Sequence, residues 1–193
     1  MKEPGGVDKR SGSDADGFYI RTFTGRKLYW DRVEEHDYCI EDIAHALAMK
    51  CRWSGHTSRF YSVAQHCEIT SHLVDRPHRL AALLHDASEA YMPDFPSPLK
   101  WYLLSRGFTE LQLIEKRVDQ AIAKKFLIPW PRDPSVKVAD IIMLGSESRD
   151  LMPAGQEQQY MSECLDYTIE PYGPATAEES FLSRYGQIIG EKL

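Results

Sequence analysis

The stretch Leu80-Ala81-Ala82-Leu83-Leu84-His85-Asp86-Ala87-Ser88-Glu89 decides how the rest of the chain is read. Leu80, Leu83 and Leu84 recur at helical spacing, which makes one face of a helix apolar. That face runs directly into His85, Asp86 and Glu89. Glu89 follows His85 by four positions and Asp86 by three, so all three side chains reach one pocket if the helix continues that far. An imidazole beside a carboxylate at the end of a buried helix suits a divalent metal, with neutral nitrogen and anionic oxygen as ligands. The blander reading is a polar helix end turned to solvent. His-Asp alone is a common dipeptide, so the decision rests on what surrounds it.

The chain has 193 residues, 42% hydrophobic and 11% aromatic, enough for one sizeable domain with its own core. Its net charge of −6 excludes a broad electrostatic surface for DNA or RNA, so no nucleic-acid polymer is expected as a partner. A small phosphate-bearing ligand remains compatible with that charge, since a local arginine or a metal can hold it. The four cysteines, Cys39, Cys51, Cys67 and Cys164, include no pair at the two-residue gap of a zinc knuckle or redox motif. With no signal peptide apparent, they read as free thiols of a cytoplasmic protein. No apolar run approaches the roughly 18 residues of a membrane span, so no membrane partner is expected.

Residues 1–17 hold four Gly, three Asp, two Ser and two Lys and little to bury, which predicts a flexible N-terminal tail. Residues 18–193 read as a single domain. Phe18 to Trp30 alternates loosely around Thr24-Gly25-Arg26 and predicts a short hairpin. A helix is expected from Ile40, with Glu41 and Asp42 suiting its dipole and Ile43, Ala44, Leu47 and Ala48 forming its apolar face. Ser58 is the expected cap of a second helix over about 60–74, and Pro77 opens the helix leading to His85. Pro93, Pro96 and Pro98 stiffen the next turn. Further helices are expected at about 98–105 and 108–126, the latter with Leu111, Leu113, Ile114, Val118 and Ile122 as its apolar positions. Val136 to Leu144 is apolar nearly all round, and Thr176 to Glu179 offers a capping box for a last helix reaching Ile189. The sum is an all-α domain of six or seven helices. Residues 150–175 show no clear period.

Asp140 is the polar residue most out of place, because a carboxylate in an apolar helix is costly without a partner. A salt bridge or a cap inside the core would satisfy it, and so would a metal. His66 and His45 each admit the ordinary reading of a satisfied histidine, and His45 is left there. His66, His85, Asp86 and Asp140 together make two imidazoles and two carboxylates on separate helices, a set able to close around one divalent ion. Oxygen and nitrogen without sulfur fits Co, Mn, Zn, Fe or Mg rather than a structural zinc site.

The order His … His-Asp … Asp resembles the signature of HD-domain metal-dependent phosphohydrolases. Tyr61-Ser-Val-Ala-Gln-His66, Leu84-His-Asp-Ala-Ser-Glu-Ala90, Asp94-Phe-Pro-Ser-Pro-Leu-Lys100 and Val138-Ala-Asp140 resemble the 5'-deoxynucleotidase branch and its bacterial and phage relatives, including small phage dATP triphosphohydrolases. The likeness runs from about Asp42 to Asp140, is weak beyond residue 150 and is absent before residue 18. It implies an HD-domain helical bundle behind a short irregular or hairpin N-terminal segment.

The resemblance implies that His66, His85, Asp86 and Asp140 hold one divalent metal ion. It implies that Glu89 and Asp94 handle the attacking water and the leaving oxygen, which requires a carboxyl tuned by burial or by its neighbour. Arg52 matches a phosphate-holding arginine, for which a planar and permanently charged fork is suited. Trp53 matches a residue that crowds the sugar 2' position. Lys100 matches a phosphate contact, and His56 belongs to the pocket. Other readings of the residues stay open: Arg52 as a surface charge, Trp53 as a core anchor, Lys100 as a solvated helix residue, and Glu89 as a partner that orients His85.

The activity this resemblance implies is metal-dependent hydrolysis of a deoxynucleotide by a metal-activated water, taking deoxynucleoside 5'-monophosphates to deoxynucleoside and phosphate. Release of triphosphate from a dNTP attacks the same phosphorus and differs in the room given to two more phosphates. A non-catalytic HD protein that binds a nucleotide, and a helical interaction protein with a chance motif, are the other classes. Members of the family often pair through helices, which implies a homodimer.

Overall fold

The computed structural model describes residues 12–93, 95–153 and 163–191. Asp94 and most of the N-terminal segment expected as a tail lie outside the described residues. The alternating stretch forms the expected hairpin: β2 (Gly17–Arg21) pairs antiparallel with β3 (Lys27–Tyr29), with Ile20 opposite Leu28. The pairing begins earlier than composition suggests, since β1 (Ser13–Asp14) adds a third antiparallel strand against β2. Gly12 makes this feasible. Its φ is +72°, and a Cβ there would stand 2.8 Å from the Tyr19 carbonyl oxygen. Leu28 is fully buried and pins the sheet to the helical core.

The remainder is mostly helical. α1 (Ile40–Ala48) buries Ile43, Ala44, Leu47 and Ala48, as its pattern requires. Asp42 does more than meet the dipole: it is buried and accepts from the Thr24 amide (2.7 Å) and hydroxyl (3.0 Å), tying hairpin to helix. α2 (Val63–Thr70) is the central helix, packed by α1, by α3 (Arg79–Leu83), by α6 (Pro134–Leu151) and by α7 (Pro174–Gly190). Its cap is Ser62, whose hydroxyl accepts from the Gln65 amide at 3.1 Å; Ser58 instead donates its amide to Leu151. An antiparallel bridge between Cys51 and Ser62 closes the loop between α1 and α2. α4 (Ser97–Ser105) buries no residue, and α5 (Glu110–Lys125) buries Val118, Ile122 and Ala123 while leaving Leu113 exposed.

Two expected helix ends are corrected. α3 stops at Leu83, with Leu84 at φ −107° and ψ 19°, and a separate 3-10 turn covers Ala87–Ala90. His85 and Asp86 therefore sit at a break and not on a continuous helix reaching Glu89. α7 begins at Pro174 with Gly173 as its cap, so Thr176 and Glu179 lie inside the helix. α6 runs past the apolar stretch to Leu151, and Val138 and Ile141 on it are exposed.

The segment before α7 is stitched down by side chains. Arg149 donates to the Leu165 and Tyr167 carbonyls, each at 2.8 Å, and Asp150 accepts from the Ile169 amide at 2.9 Å. Gln65 accepts from the Tyr172 amide and donates to the Glu170 carbonyl, both at 2.8 Å. Among the described residues no helix is long and apolar enough to cross a membrane.

Candidate metal centre

Three segments converge on one point. α2 supplies His66, the break after α3 supplies His85 and Asp86, and α6 supplies Asp140. His66 Nε2 and His85 Nε2 are 3.1 Å apart. Asp140 Oδ1 lies 3.4 Å from the first and 3.8 Å from the second. Asp86 Oδ2 lies 3.7 Å and 3.3 Å from the same two nitrogens. All four side chains expected as ligands thus face one another, and His66, His85 and Asp140 form a group that could hold a metal ion.

The outer nitrogens settle which atoms face inward. His85 Nδ1 is 2.8 Å from the Ala82 carbonyl oxygen, which can only accept, so Nδ1 carries a hydrogen. His66 Nδ1 is 2.6 Å from Glu147 Oε1. Burial raises the Glu147 pKa, but Arg52 and His66 outweigh it and bring it down to about 2, so this carboxylate also only accepts. Both rings therefore turn their Nε2 atoms inward at close range, as a pair of lone pairs when both rings are neutral. Such a pair is repulsive unless a proton or a cation stands between them, and two carboxylates complete an oxygen and nitrogen donor set. The donors fit a divalent ion.

The protein's own charges follow the same logic. Burial disfavours charge on His85, yet the Asp86 carboxylate raises its pKa well above the usual histidine range. Burial would raise the Asp140 carboxyl, but hydrogen bonds from His66 and His85 hold it far below the carboxylate range. Asp86 is lowered against burial by His85, His66 and Arg52. Asp140 also pairs with Lys137 at 2.7 Å, so the salt bridge and the inward-facing carboxylate coexist.

Glu147 is the functional candidate that sequence reasoning missed. It is fully buried on α6 and accepts four donors: His66 on Oε1, and on Oε2 Arg52 Nη2 (3.0 Å), Arg52 Nε (3.3 Å) and Trp53 Nε1 (3.0 Å). A signal existed, since Glu147 follows Asp140 by seven positions, two turns along one helix face. Arg52 also reaches Asp86 Oδ2 through Nη1 at 3.4 Å. Arg52 and Trp53 lie in a 3-10 turn, Arg52–Gly55, in which Trp53 and Ser54 adopt left-handed φ values of 55° and 51°. Neither residue is a plain surface charge or a core anchor: both are fastened to the centre by Glu147.

The other expected site residues are more scattered. Glu89 lies in the 3-10 turn after Asp86, and its backbone carbonyl accepts from Lys50. His56 ends the Arg52–Gly55 turn and is exposed. Lys100 lies on α4 with its ammonium 2.7 Å from Glu115 Oε1. Asp94, the second expected proton-handling acid, lies outside the described residues. His45 stacks on Phe23 and pairs with Glu178 at 3.0 Å, which makes it an ordinary satisfied histidine. One donor has no counterpart in the expected set: Cys67 groups with His85 and Asp86, although burial pushes its thiol pKa up and keeps it protonated.

No family model matches the chain. The chain is 36% identical over 177 residues to the uncharacterized protein YfdR of Escherichia coli, covering 88% of this chain and 95% of that one. It is 34% identical over 144 residues to the uncharacterized protein RCAP_rcc00048 of Rhodobacter capsulatus, covering 68% and 71%. The match to YfdR spans nearly the whole of both chains, and on that ground this chain belongs to the YfdR family.

Proposed function

We propose that this chain is a metal-dependent phosphohydrolase of the HD type that converts deoxynucleoside 5'-monophosphates to deoxynucleoside and phosphate. The observation that carries the reading is the inward-facing pair of Nε2 atoms, 3.1 Å apart, with Asp86 and Asp140 beside them. A divalent ion there (Co, Mn, Zn, Fe or Mg) would polarise a phosphoryl oxygen and acidify a water. The chain's own residues do the rest. Arg52 has one edge fixed on Glu147 and turns Nη1 toward the centre, where a phosphate dianion would meet a desolvated guanidinium. Trp53, the next residue and fastened to the same Glu147 oxygen, would crowd the sugar 2' position. Glu89, on the turn after Asp86, takes the proton of the attacking water, and Asp94 returns one to the leaving oxygen.

The test is a hydrolysis screen with Mn, Co, Mg or Zn against all four dNMPs, all four dNTPs and their ribo forms, with Asp140→Ala as control. Phosphate released from dNMPs and lost in the variant supports the reading. Intact triphosphate from a dNTP replaces it with a triphosphohydrolase. Metal and nucleotide binding without turnover under any condition leaves a binding protein.

A further inference from the structure

We propose that Glu147 is a positioning residue that links metal occupancy to the Arg52–Trp53 turn, one buried carboxylate serving both. The linkage needs only that the centre binds a cation. The turn's part in holding substrate rests on the phosphohydrolase reading.

The two oxygens divide the work. Oε1 fixes the His66 ring with Nε2 inward, and Oε2 gathers three donors from two consecutive residues. Glu147 has no exposed surface, so no water replaces a lost partner. The turn needs this fastening. Two consecutive non-glycine residues in the left-handed region are strained, and the Trp53 indole bond to Glu147 holds the first of them. A cation on His66 Nε2 draws electron density from the ring and makes Nδ1–H a stronger donor to Oε1. The same cation offsets the charge of Asp86, which weakens its hold on Arg52 Nη1 while Nε and Nη2 stay on Glu147. Arg52 then offers its free edge to an anion beside the metal. By linkage, an anion on Arg52 favours the cation in turn.

Glu147→Gln tests this. A glutamine must keep its oxygen toward Arg52 and Trp53, because its amide hydrogens would clash with those donors. Its NH2 then faces His66 Nδ1, which becomes an acceptor, and the ring turns Nε2–H toward the centre. Zn2+ affinity by calorimetry should fall about 10- to 100-fold. Trp53 emission, taken as the difference between the parent chain and Trp53→Phe, should change on Zn2+ binding in the parent and stay constant in E147Q at saturating Zn2+. In turnover at saturating metal, E147Q should raise KM more than it lowers kcat. If E147Q does not fold, E147D carries the same comparison with smaller losses, its charge retained one methylene short. Unchanged Zn2+ affinity in E147Q, an undiminished emission change in it, or no change in the parent would each overturn the linkage. A parent chain that shows the linkage and hydrolyses no deoxynucleotide ends the phosphohydrolase reading alone. Hydrolysis with an unlinked Glu147 ends the linkage alone.

Discussion

His66 and His85 turn Nε2 atoms to one another at 3.1 Å while each Nδ1 is already engaged, one by the Glu147 carboxylate and the other by the Ala82 carbonyl. An imidazole pair locked in this way is preorganised for a cation, because the outer hydrogen bonds fix both tautomers before any ligand arrives. Asp140 stands on α6 at 3.4 Å from His66 Nε2. Asp140→Ala should therefore remove metal without unfolding the chain. Losing a residue that merely orients a ligand costs about 10- to 100-fold in affinity, and losing the ligand should cost more. Elemental analysis after desalting checks it, and a variant that retains metal takes Asp140 out of the ligand set.

Trp53 should carry sugar discrimination through its ring. An aromatic edge against the 2' carbon leaves a ribose hydroxyl without a partner, which costs roughly 1–3 kcal/mol, or about ten- to a hundredfold. Trp53→Ala should lower the deoxy-to-ribo ratio of kcat/KM by that factor. Trp53→Phe keeps a ring and loses only the bond to Glu147, so it should lower the ratio much less. Matched deoxy and ribo substrates assayed side by side decide it, and an unchanged ratio in the alanine variant assigns discrimination elsewhere.

Leu127 comes just after α5 in a left-handed conformation, φ 55°, with 86% of its surface exposed. The Ile128 amide donates to the Ala123 carbonyl at 2.8 Å, a helix-ending pattern that favours glycine. Leu127→Gly removes a Cβ penalty and little burial, so it should stabilise the chain by about 1 kcal/mol. In a chain of this size that raises Tm by about 2–4 °C, which calorimetry resolves. A lower Tm would mean that the leucine side chain contributes packing.

Asp14 joins β1 to β3 by accepting from Lys27 Nζ at 2.7 Å and Tyr29 OH at 2.9 Å. The Lys27 hydrogen bond lowers its carboxyl from 3.8 to about 2. A folded pKa below the unfolded one stabilises the sheet above the unfolded value, and the contribution disappears as pH falls through the folded value. The Lys27 and Tyr29 NMR signals should titrate with a midpoint near 2, and Asp14→Asn should flatten the curve. A midpoint near 3.8 would show that the pair does not persist in solution.

The sequence carried the helices well wherever an apolar stripe met a clear stop. Ile40–Ala48 and Glu110–Lys125 both follow from spacing and end charge. The donors of the centre were legible because a carboxylate at Asp140 and a His-Asp pair conflict with apolar surroundings. What spacing could not carry was geometry set from a distance. The break at Leu84 replaces helix with turn between His85 and Glu89, and no proline or glycine announces it. Ser58 and Ser62 are equivalent as caps by type, and the bridge between Cys51 and Ser62 chooses the second. Residues 163–172 have no period because side chains of Arg149, Asp150 and Gln65 hold their backbone. Glu147 has the character of an ordinary helix surface residue until α2 and the Arg52 turn pack over it.

The central position of α2 has a consequence for how the chain assembles. His66 and its metal-facing neighbour His85 are 19 residues apart, but the carboxylate that orients His66 comes from 81 residues away. A nascent chain that has folded only through His85 holds half a set of ligands and an unoriented ring. Competence for a cation therefore arrives late, when α6 closes a long loop against α2 and inserts Asp140 and Glu147 together. On the proposed reading, a divalent ion would act as a checkpoint on folding: a chain able to capture it has already brought its distant segments into register, and the bound ion would oppose their separation.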